Sequence, residues 1–304
     1  MVDFTLRQLE LFAALPDHST LSSAAASLRI SESALSQAIT ALERAAGEQL
    51  CVRRKARGLQ LTPSGQFFAQ RARRLLRDAD ALIDDLTGAT GELKGPVQLG
   101  CFASFASTVL PAVLDQLPEQ FPGISVEVTV GSHDELLPAL DAGQLDLALV
   151  YDMELPAGYH QRTIYRTELQ AVLPTDHPLA AKPTVDLADL ADEPLIMYES
   201  SPSTANTYRI FADRGLRPRI VSSMPQVVLV QALVGRGLGY ALLMSRPEAP
   251  AVTVEGRNVA VRPLSPPISS TTMCAIWPDT MVLSPRAEAV LSHAMRALSG
   301  NAAE

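Results

Sequence analysis

Short polar side chains recur along one stretch near the start of the chain. Four of them would lie on the same side of a helix: Ser33, Ser36, Gln37 and Thr40. The apolar residues of this stretch recur at helical spacing and would form the opposite, buried side: Ala34, Leu35, Ala38, Ile39 and Leu42. Short hydroxyl and amide side chains can reach both base edges and phosphates. The stretch therefore predicts a helix that contacts nucleic acid.

A shorter helix is predicted just before this one, from Leu21 to Leu28, with a turn of about three residues between the two. The run of small residues Ala24–Ala26 lets two helices approach closely, and Ser31 is a suitable N-cap for the second helix. This is the helix-turn-helix plan, in which the second helix enters the DNA major groove. Arg29, Ser31 and Glu32 therefore join the candidate DNA contacts. An ordinary amphipathic helix pair would show the same pattern.

A basic cluster between two short apolar runs follows: Arg53, Arg54, Lys55 and Arg57. Gly58 is expected to supply a turn, so the segment predicts a two-stranded wing with a basic tip. Cations at that tip would bind phosphate, which is the sequence-independent part of DNA affinity. We therefore interpret residues 1–64 as a winged helix-turn-helix DNA-binding domain.

Many spaced residues of this domain follow one pattern without gaps: Leu6–Phe12, Ser19, Ala24, Ala25, Leu28, Ser31, Ala34–Ser36, Ile39, Leu42, Glu43, Gly47, Leu50, Arg53, Leu61, Thr62 and Gly65. In this pattern the segment resembles the N-terminal domain of LysR-type transcriptional regulators. The resemblance implies a regulator that binds DNA and responds to a small molecule.

Three residues depart from the pattern of that family. Glu32 stands where the recognition helix usually opens with Gln, Gln37 where an Arg is common, and Cys51 where an aromatic residue is usual. Glu32 repels phosphate but can accept a hydrogen bond from a cytosine amino group. We therefore expect an unusual operator sequence.

A long helix is predicted after the wing, and we interpret residues 65–90 as a linker and dimerisation helix. Its apolar residues step by four and three, as in a heptad seam: Phe68, Ala72, Leu75, Ala79, Leu82 and Leu86. Phe68, Leu75, Leu82 and Leu86 are the candidate dimer contacts. The alternative is one amphipathic helix that lies on its own domain.

Residues 95–304 alternate strand-like and helix-like segments, which indicates an α/β fold with parallel strands and crossover helices. Two such sets suggest two lobes, the first at about residues 95–165 and 266–304 and the second at about residues 166–265. This part resembles the effector-binding half of the same family, a two-lobed α/β domain like a periplasmic binding protein. The clearest matching pieces are Leu110-Pro111, Phe121-Pro122, Gly143–Asp146, Pro174, His177–Leu179, Val234 and Gly237–Gly239.

Ligands of open α/β sheets bind at the carboxyl ends of the strands. Nine residues follow predicted strands in this way and are the candidate effector contacts: Ser104, Phe105, Ser132, His133, Tyr151, Tyr198, Ser200, Met224 and Gln226. The family resemblance singles out Ser104 and Ser132. Simple helix capping is the alternative for each serine, and an exposed loop position is the alternative for His133. Arg246 is the nearest candidate cation for an anionic ligand.

The chain of 304 residues has a net charge of −8, but the charge is uneven. Residues 1–64 contain seven Lys or Arg and six Asp or Glu, whereas residues 95–304 contain 13 and 22. The DNA-binding end therefore does not share the acidic excess of the body. We therefore expect the protein to bind double-stranded DNA as a homodimer or homotetramer on a promoter dyad site. Its affinity would depend on that geometry and on a few phosphate contacts.

Enzyme motifs are missing: the sequence has no Gly-rich phosphate loop, HExxH, GxSxG or CxxC. We expect no catalytic residues, metal site or cofactor, and we expect Cys101 and Cys274 to be buried and inert. The lack of a leader, of a long apolar run and of paired cysteines favours a cytoplasmic protein without membrane contact. The partners would be DNA and a small organic acid or aromatic effector. The alternative is a small-molecule receptor or enzyme with a helical oligomerisation domain.

Overall fold

The computed structural model describes residues 3–54, 58–88, 93–245, 251–268 and 271–300. The N-terminal module comprises α1 (Leu6–Ala13), a 3-10 turn (Leu15–Asp17), α2 (Leu21–Ser27), α3 (Glu32–Ala46), β1 (Cys51–Arg54) and β2 (Gly58–Leu61). The helices begin at side-chain caps: Gln8 N donates to Thr5 Oγ1 over 3.2 Å, and Ser23 N donates to Thr20 Oγ1 over 3.1 Å. The cap of α3 is described with the interface below. These helices enclose the apolar core of the module.

The helix-turn-helix prediction is confirmed in its elements, with two local differences. Ala34 is exposed, because it lies about 100° around α3 from Leu35, at the edge of the buried side. Gly58 was expected in the wing turn, but it is the first residue of β2 and pairs with Arg54. Strands β1 and β2 pair in the antiparallel orientation, as a wing requires.

The helix α4 (Pro63–Gly88) follows the wing directly, and its first half packs on α1. The Phe68 ring lies edge-on to Phe12, with 5.4 Å between centroids, and Ala72 is buried in the same core. Phe68 therefore packs on the core of its own module, and because its ring is only half-buried, its role as a dimer contact stays a prediction. Leu75 and Leu82, by contrast, are 45% and 63% exposed.

The C-terminal region begins with β3 (Gly95–Phe102), α5 (Ala106–Leu114), α6 (Leu117–Gln120), β4 (Ile124–Gly131), α7 (His133–Asp141), β5 (Leu147–Tyr151) and β6 (Tyr159–Pro174). It continues with a 3-10 turn (Pro178–Ala181), α8 (Leu187–Leu190), β7 (Pro194–Tyr198), α9 (Ser203–Ala212), β8 (Arg219–Met224), α10 (Val227–Gly235), β9 (Ala241–Ser245), β10 (Val259–Pro263), β11 (Thr271–Pro278) and α11 (Pro285–Gly300). Two helices, α5 and α6, lie between β3 and β4. Pro118, in the first turn of α6, suits a new helix start.

The order of the strands in the largest sheet of the described residues is β10-β6-β11-β5-β3-β4, and β9 also pairs with β6. Strand β3 is parallel to β4 and β5, as the sequence predicts. The long strand β6 connects two lobes, because its first half pairs with β11 and its second half with β9 and β10. We call the part around β3, β4, β5 and β11 lobe I, and the part around β7 to β10 lobe II.

Two apolar clusters pack the lobes. The larger one surrounds β3, β5 and β11 in lobe I and continues past β6 to α10 and β9, and a second cluster in lobe II includes Phe211, Leu187 and Tyr240. Strand β6 and the packing beside it therefore join the two lobes. Among the described residues, no helix combines the length and apolar composition that a membrane span needs.

Candidate nucleic-acid interface and inter-lobe cavity

The helix α3 presents the predicted polar row on its outer side. Arg29, Ser31, Glu32, Ser33, Gln37 and Thr40 are exposed, and Ser36 is half-buried. On the inner side Leu35 and Leu42 are fully buried, which fixes the rotation of the helix about its axis. All predicted DNA contacts on α3 and in the turn before it therefore lie on one accessible surface.

Hydrogen bonds within the polar row limit which of these side chains can reach a base. Ser31 Oγ accepts from Ala34 N over 3.2 Å as the N-cap and lies 3.0 Å from Ser33 Oγ. Thr40 Oγ1 donates back to Ser36 O over 2.9 Å. Gln37 makes no such bond in the described residues, and its amide carries both donors and acceptors. Gln37 is thus the side chain of this row best suited to reading a base edge.

The wing is held against α3 by Glu43, whose role the sequence did not reveal. Its Oε1 atom accepts from Leu50 N over 2.9 Å and from Cys51 N over 3.0 Å, which orients β1 relative to the helix. Arg53 and Arg54 lie in β1, whereas Lys55 and Arg57 lie outside the described residues. Glu43 was noticed only as part of the family pattern, and nothing local in the sequence marked it as a link to the wing.

The turn before α3 has an unusual backbone conformation at Arg29, whose φ is 54°. This left-handed region normally favours glycine. It lets Arg29 N donate to Ala26 O over 3.1 Å and Ile30 N to Ala25 O over 3.0 Å, so α2 ends abruptly. The four residues Leu28–Ser31 thus separate α2 from α3.

A cavity of about 420 Å³ lies between the two lobes. The loop after β3, the end of β5, the middle of β6 and the first turn of α5 form its wall in lobe I, while β7, β9, β10, α9 and α10 form the facing wall in lobe II. Four of the predicted effector contacts line it: Ser104, Phe105, Tyr151 and Tyr198. The rings of Phe105 and Tyr151 pack edge-to-face, with 4.9 Å between centroids.

Two hydroxyl groups on the cavity wall are buried and lack hydrogen-bond partners in the described residues, namely Ser104 Oγ and Tyr198 Oη. Burial raises the pKa of Tyr198, and the nearby Ser200 hydroxyl partly opposes that shift. The phenol therefore stays protonated at neutral pH and can donate a hydrogen bond. A buried polar group without a partner is costly, so these two hydroxyls are suited to a bound molecule.

The other five predicted effector contacts lie outside the lining of this cavity. Ser132 donates from both N and Oγ to Glu135 Oε2, over 2.7 and 3.0 Å, so its groups serve the start of α7. Ser200 N donates to Thr204 Oγ1 at the start of α9. Met224 packs against the larger apolar cluster, and Gln226 is exposed. Helix capping, the alternative for the serines, describes Ser132 in this structure.

His133 is the fifth of these residues, and it is buried against Phe102 with 5.3 Å between ring centroids. Burial lowers its pKa from 6.5 to about 4, although the neighbouring Asp134 carboxylate opposes the shift. Its backbone N donates to Ser201 O over 3.2 Å, and Ser201 Oγ donates to Asp134 Oδ1 over 2.9 Å. This pair of bonds connects lobe I to lobe II beside the cavity.

Sequence reasoning missed most of the lining. The missed polar residues are Ser107, Thr108, Tyr165, Thr167, Ser203, Asn206, Thr207 and Gln231, and the missed apolar residues are Val109, Met153, Leu169, Val172, Val227, Val228, Leu242–Met244 and Val261. Most of them belong to lobe II helices and to the middle of β6, which no strand-end rule selects.

The three cysteines of the chain are buried. Burial raises the pKa of both Cys101 and Cys274 to about 12. Their thiols are therefore protonated at neutral pH, and a thiolate nucleophile is not available from either residue.

The chain as a whole is similar to known proteins in both of its parts. Residues 6–66 match the family model described as "Bacterial regulatory helix-turn-helix protein, lysR family". Residues 90–299 match the one described as "LysR substrate binding domain". The chain belongs to the LysR family of transcriptional regulators. Members of this family regulate transcription and are not enzymes, so the receptor and enzyme alternatives are excluded.

Individual relatives of this LysR-family regulator agree over most of its length. It is 33% identical over 242 residues to a "Probable hydrogen peroxide-inducible genes activator" of Mycobacterium avium, covering 79% of this chain and 77% of that protein. The solved structure of HinK, a LysR family transcriptional regulator from Pseudomonas aeruginosa, aligns at 29% identity and a TM-score of 0.63, over 98% of this chain and 99% of that chain.

The C-terminal half alone also has a solved relative. A C-terminal domain of a probable LysR family transcriptional regulator from Rhodococcus sp. RHA1 aligns at 33% identity with a TM-score of 0.63, covering 66% of this chain and 99% of that one. The predicted fold class is therefore confirmed: a winged helix-turn-helix domain precedes a two-lobed α/β domain. This LysR-family regulator thus has a DNA-binding part and an effector-binding part.

Proposed function

We propose that this regulator binds a promoter dyad site as a homodimer or homotetramer, and that a small molecule in the inter-lobe cavity changes its arrangement on DNA. The observation that carries the proposal is the cavity itself. Both lobes contribute to its wall, and each brings an unsatisfied hydroxyl, Ser104 from lobe I and Tyr198 from lobe II. A ligand that satisfies both favours one arrangement of the lobes over another, which is what allosteric coupling requires.

The DNA contacts that we propose are the polar row of α3, the turn before it and the basic wing. Gln37 and Ser33 would read bases, and Arg53 and Arg54 would bind phosphates. The exposure of the polar row on one side of α3 supports this assignment, as does the fixed position of β1 on Glu43. The wing tip with Lys55 and Arg57 completes the proposed contact surface.

We further propose that the exposed apolar stripe of α4 holds two copies of the chain together. Leu75 and Leu82 are seven residues apart and remain largely exposed, whereas the neighbouring side of the helix is covered by α1. Leu86 follows Leu82 by four residues, as a heptad pattern requires, and its side chain lies outside the described set. Large exposed apolar side chains at heptad spacing are typical of a helix that pairs with a second helix.

The relatives named as hydrogen peroxide-inducible activators suggest a second candidate, a response to peroxide. Oxidation of a cysteine requires a thiolate that peroxide can reach. Cys51, Cys101 and Cys274 are buried, and the pKa of the latter two is about 12. These observations favour reversible binding of a ligand over thiol chemistry.

A reporter driven by the promoter that flanks the regulator's own gene tests the proposal. Ser104→Phe fills the cavity from lobe I, and we expect it to abolish the response to inducer while the DNA footprint persists. Ser223→Phe is the matched control, since Ser223 is exposed on β8 and outside the cavity lining. A normal response in Ser104→Phe, with folding verified by circular dichroism, would place the effector site elsewhere.

A further inference from the structure

We infer that the inter-lobe cavity selects an uncharged, ring-bearing molecule with an oxygen acceptor, such as an aromatic amide or ketone, over the corresponding carboxylate. The inference rests on the proposed function and specifies the chemistry of its ligand. Within the part of the chain that the structure describes, the lining contains no Lys, Arg, His, Asp or Glu. Arg246, the candidate cation of the sequence analysis, lies outside the described residues; among the described ones, an anion in this cavity would lack a direct counter-charge.

Asn206 defines one donor to such a ligand. It is buried on the cavity wall, and its Oδ1 atom accepts from Arg209 Nη2 over 2.6 Å. Because a guanidinium only donates, the atom beside Arg209 must be the amide oxygen, and the amide nitrogen remains available to donate. The arrangement favours an acceptor on the ligand, and the adjacent charge of Arg209 strengthens the donor.

The remaining polar side chains of the wall are uncharged, and several of their hydroxyls already donate hydrogen bonds within the protein. Thr108 Oγ1 donates to Phe105 O and Thr207 Oγ1 donates to Ser203 O, so neither hydroxyl has a proton to spare for a ligand. Ser104 Oγ has no hydrogen-bond partner in the described residues, and Tyr198 Oη, which lies beside the Ser200 hydroxyl, has none within hydrogen-bond distance. A carbonyl oxygen has two lone pairs, which these hydroxyls and the Asn206 amide can satisfy. A carboxylate has about four acceptor sites and a full charge to accommodate.

Helix N-termini at the cavity wall would favour an anionic ligand. The first turns of α5, α9 and α10 all contribute lining residues, and helix N-termini favour negative charge. The same partial positive charges also attract the negative end of a neutral carbonyl. Arg209 lies behind Asn206, but its charge is shared with Asp213, 3.5 Å away. Desolvation of a carboxylate without a partner exceeds what such dipoles return.

The ring preference follows from the apolar part of the wall. Phe105, Tyr151 and Tyr165 come from lobe I, and Leu242 and Val261 come from lobe II. A cavity of about 420 Å³ is in the size range of sites for small organic ligands. Aromatic side chains on one wall and aliphatic side chains on the other suit a flat apolar ring between the lobes.

The test compares matched pairs of probes on the full-length regulator at pH 7.5: benzamide with benzoate, and cinnamamide with cinnamate. Dissociation constants come from isothermal titration, or from ligand-observed NMR for weak binders. We expect each amide to bind about tenfold or more tightly than its carboxylate. Equal or tighter binding of the carboxylates, or no binding of either amide up to its solubility limit, overturns the inference.

A variant with an added cation in the cavity should reverse the preference between amide and carboxylate. Gln231→Arg places a guanidinium on the cavity wall, and we expect it to shift the preference toward the carboxylates by about tenfold or more. Gln144→Arg adds the same charge at an exposed position after α7, outside the lining, and we expect its preference to stay that of the wild type. An unchanged preference in Gln231→Arg, or the same shift in both variants, would contradict the assignment to this cavity.

The binding experiment can fail without contradicting the proposed function, and the proposed function can fail without contradicting the ligand chemistry. Binding is measured without DNA, so a preference for carboxylates would overturn only the ligand chemistry. Amides that bind with the expected preference but never change the regulator's footprint on DNA would support the chemistry and contradict the proposed function.

Discussion

Replacing His133 should remove a large part of the pH dependence of lobe I stability. His133 is 3% exposed, and neither of its ring nitrogens has a hydrogen-bond partner in the described residues. The folded protein therefore holds the ring neutral, with a pKa of about 4 instead of 6.5. The unfolded chain takes up a proton at the higher pH, so acid favours unfolding.

The sign and size of the effect follow from these two pKa values. The contribution of His133 is fully present above about pH 6.5 and is lost as the pH falls toward 4. Integration of the difference in bound protons gives a loss of about 2 kcal/mol of unfolding free energy between pH 7 and pH 5. His133→Phe keeps an aromatic ring against Phe102 but cannot take up a proton.

The assay is urea unfolding at pH 7, 6 and 5, followed by the fluorescence of Trp277. Trp277 is the single tryptophan of the chain and is buried in lobe I, in the same core as Phe102. We expect the unfolding free energy of the wild type to fall by about 2 kcal/mol more than that of His133→Phe over this range. His133→Gln, which is polar but does not titrate, should match the Phe variant in pH dependence. Parallel pH profiles for wild type and both variants would refute the reasoning.

Four further predictions concern the DNA-binding module and the helix α4 that follows it. Replacing Arg53 and Arg54 together by Ala should weaken binding to every DNA sequence and reduce the slope of log affinity against log salt by about two. Gln37→Ala should instead change which operators bind: in a competition assay, we expect the discrimination at one base pair to change by about 1–3 kcal/mol. An unchanged salt slope contradicts the wing assignment. Leu82→Glu should dissociate dimers in sedimentation equilibrium without lowering monomer stability, because Leu82 is already 63% exposed. A wild-type monomer would rule out the α4 stripe as the dimer contact. Glu43→Ala leaves two backbone N–H groups without their acceptor and should lower the unfolding free energy of the N-terminal module by about 1–3 kcal/mol, a loss that Glu43→Gln should largely restore.

Local periodicity and caps predicted the elements because these elements are locally encoded. Ser31 precedes α3 as its cap, and the apolar residues of α3 recur at helical spacing, so the amino-acid pattern is enough to assign the polar row. The heptad pattern of α4 was ambiguous, because Phe68 and Leu75 fit one seam equally well in sequence. Only the position of α1 decides that Phe68 is covered and Leu75 is not.

The cavity was harder to predict because its wall is assembled from distant segments. The strand-end rule selected Ser104 and Tyr198 correctly as neighbours of a crevice, since both follow or end buried strands. It also selected Ser132, whose hydroxyl serves Glu135 instead. Asn206 and Gln231 lie inside helices, and which side of a helix faces the opposite lobe depends on tertiary packing.

The most direct test of the central claim is a DNase footprint of the regulator on its own promoter, titrated with a compound that binds the inter-lobe cavity. Wild type and Ser104→Phe are compared at equal occupancy of the DNA. The account predicts that the footprint of the wild type changes in length or in hypersensitive positions at the concentration where the compound binds, and that Ser104→Phe shows no change. The same change in both proteins, or no change in the wild type at saturation, would contradict it.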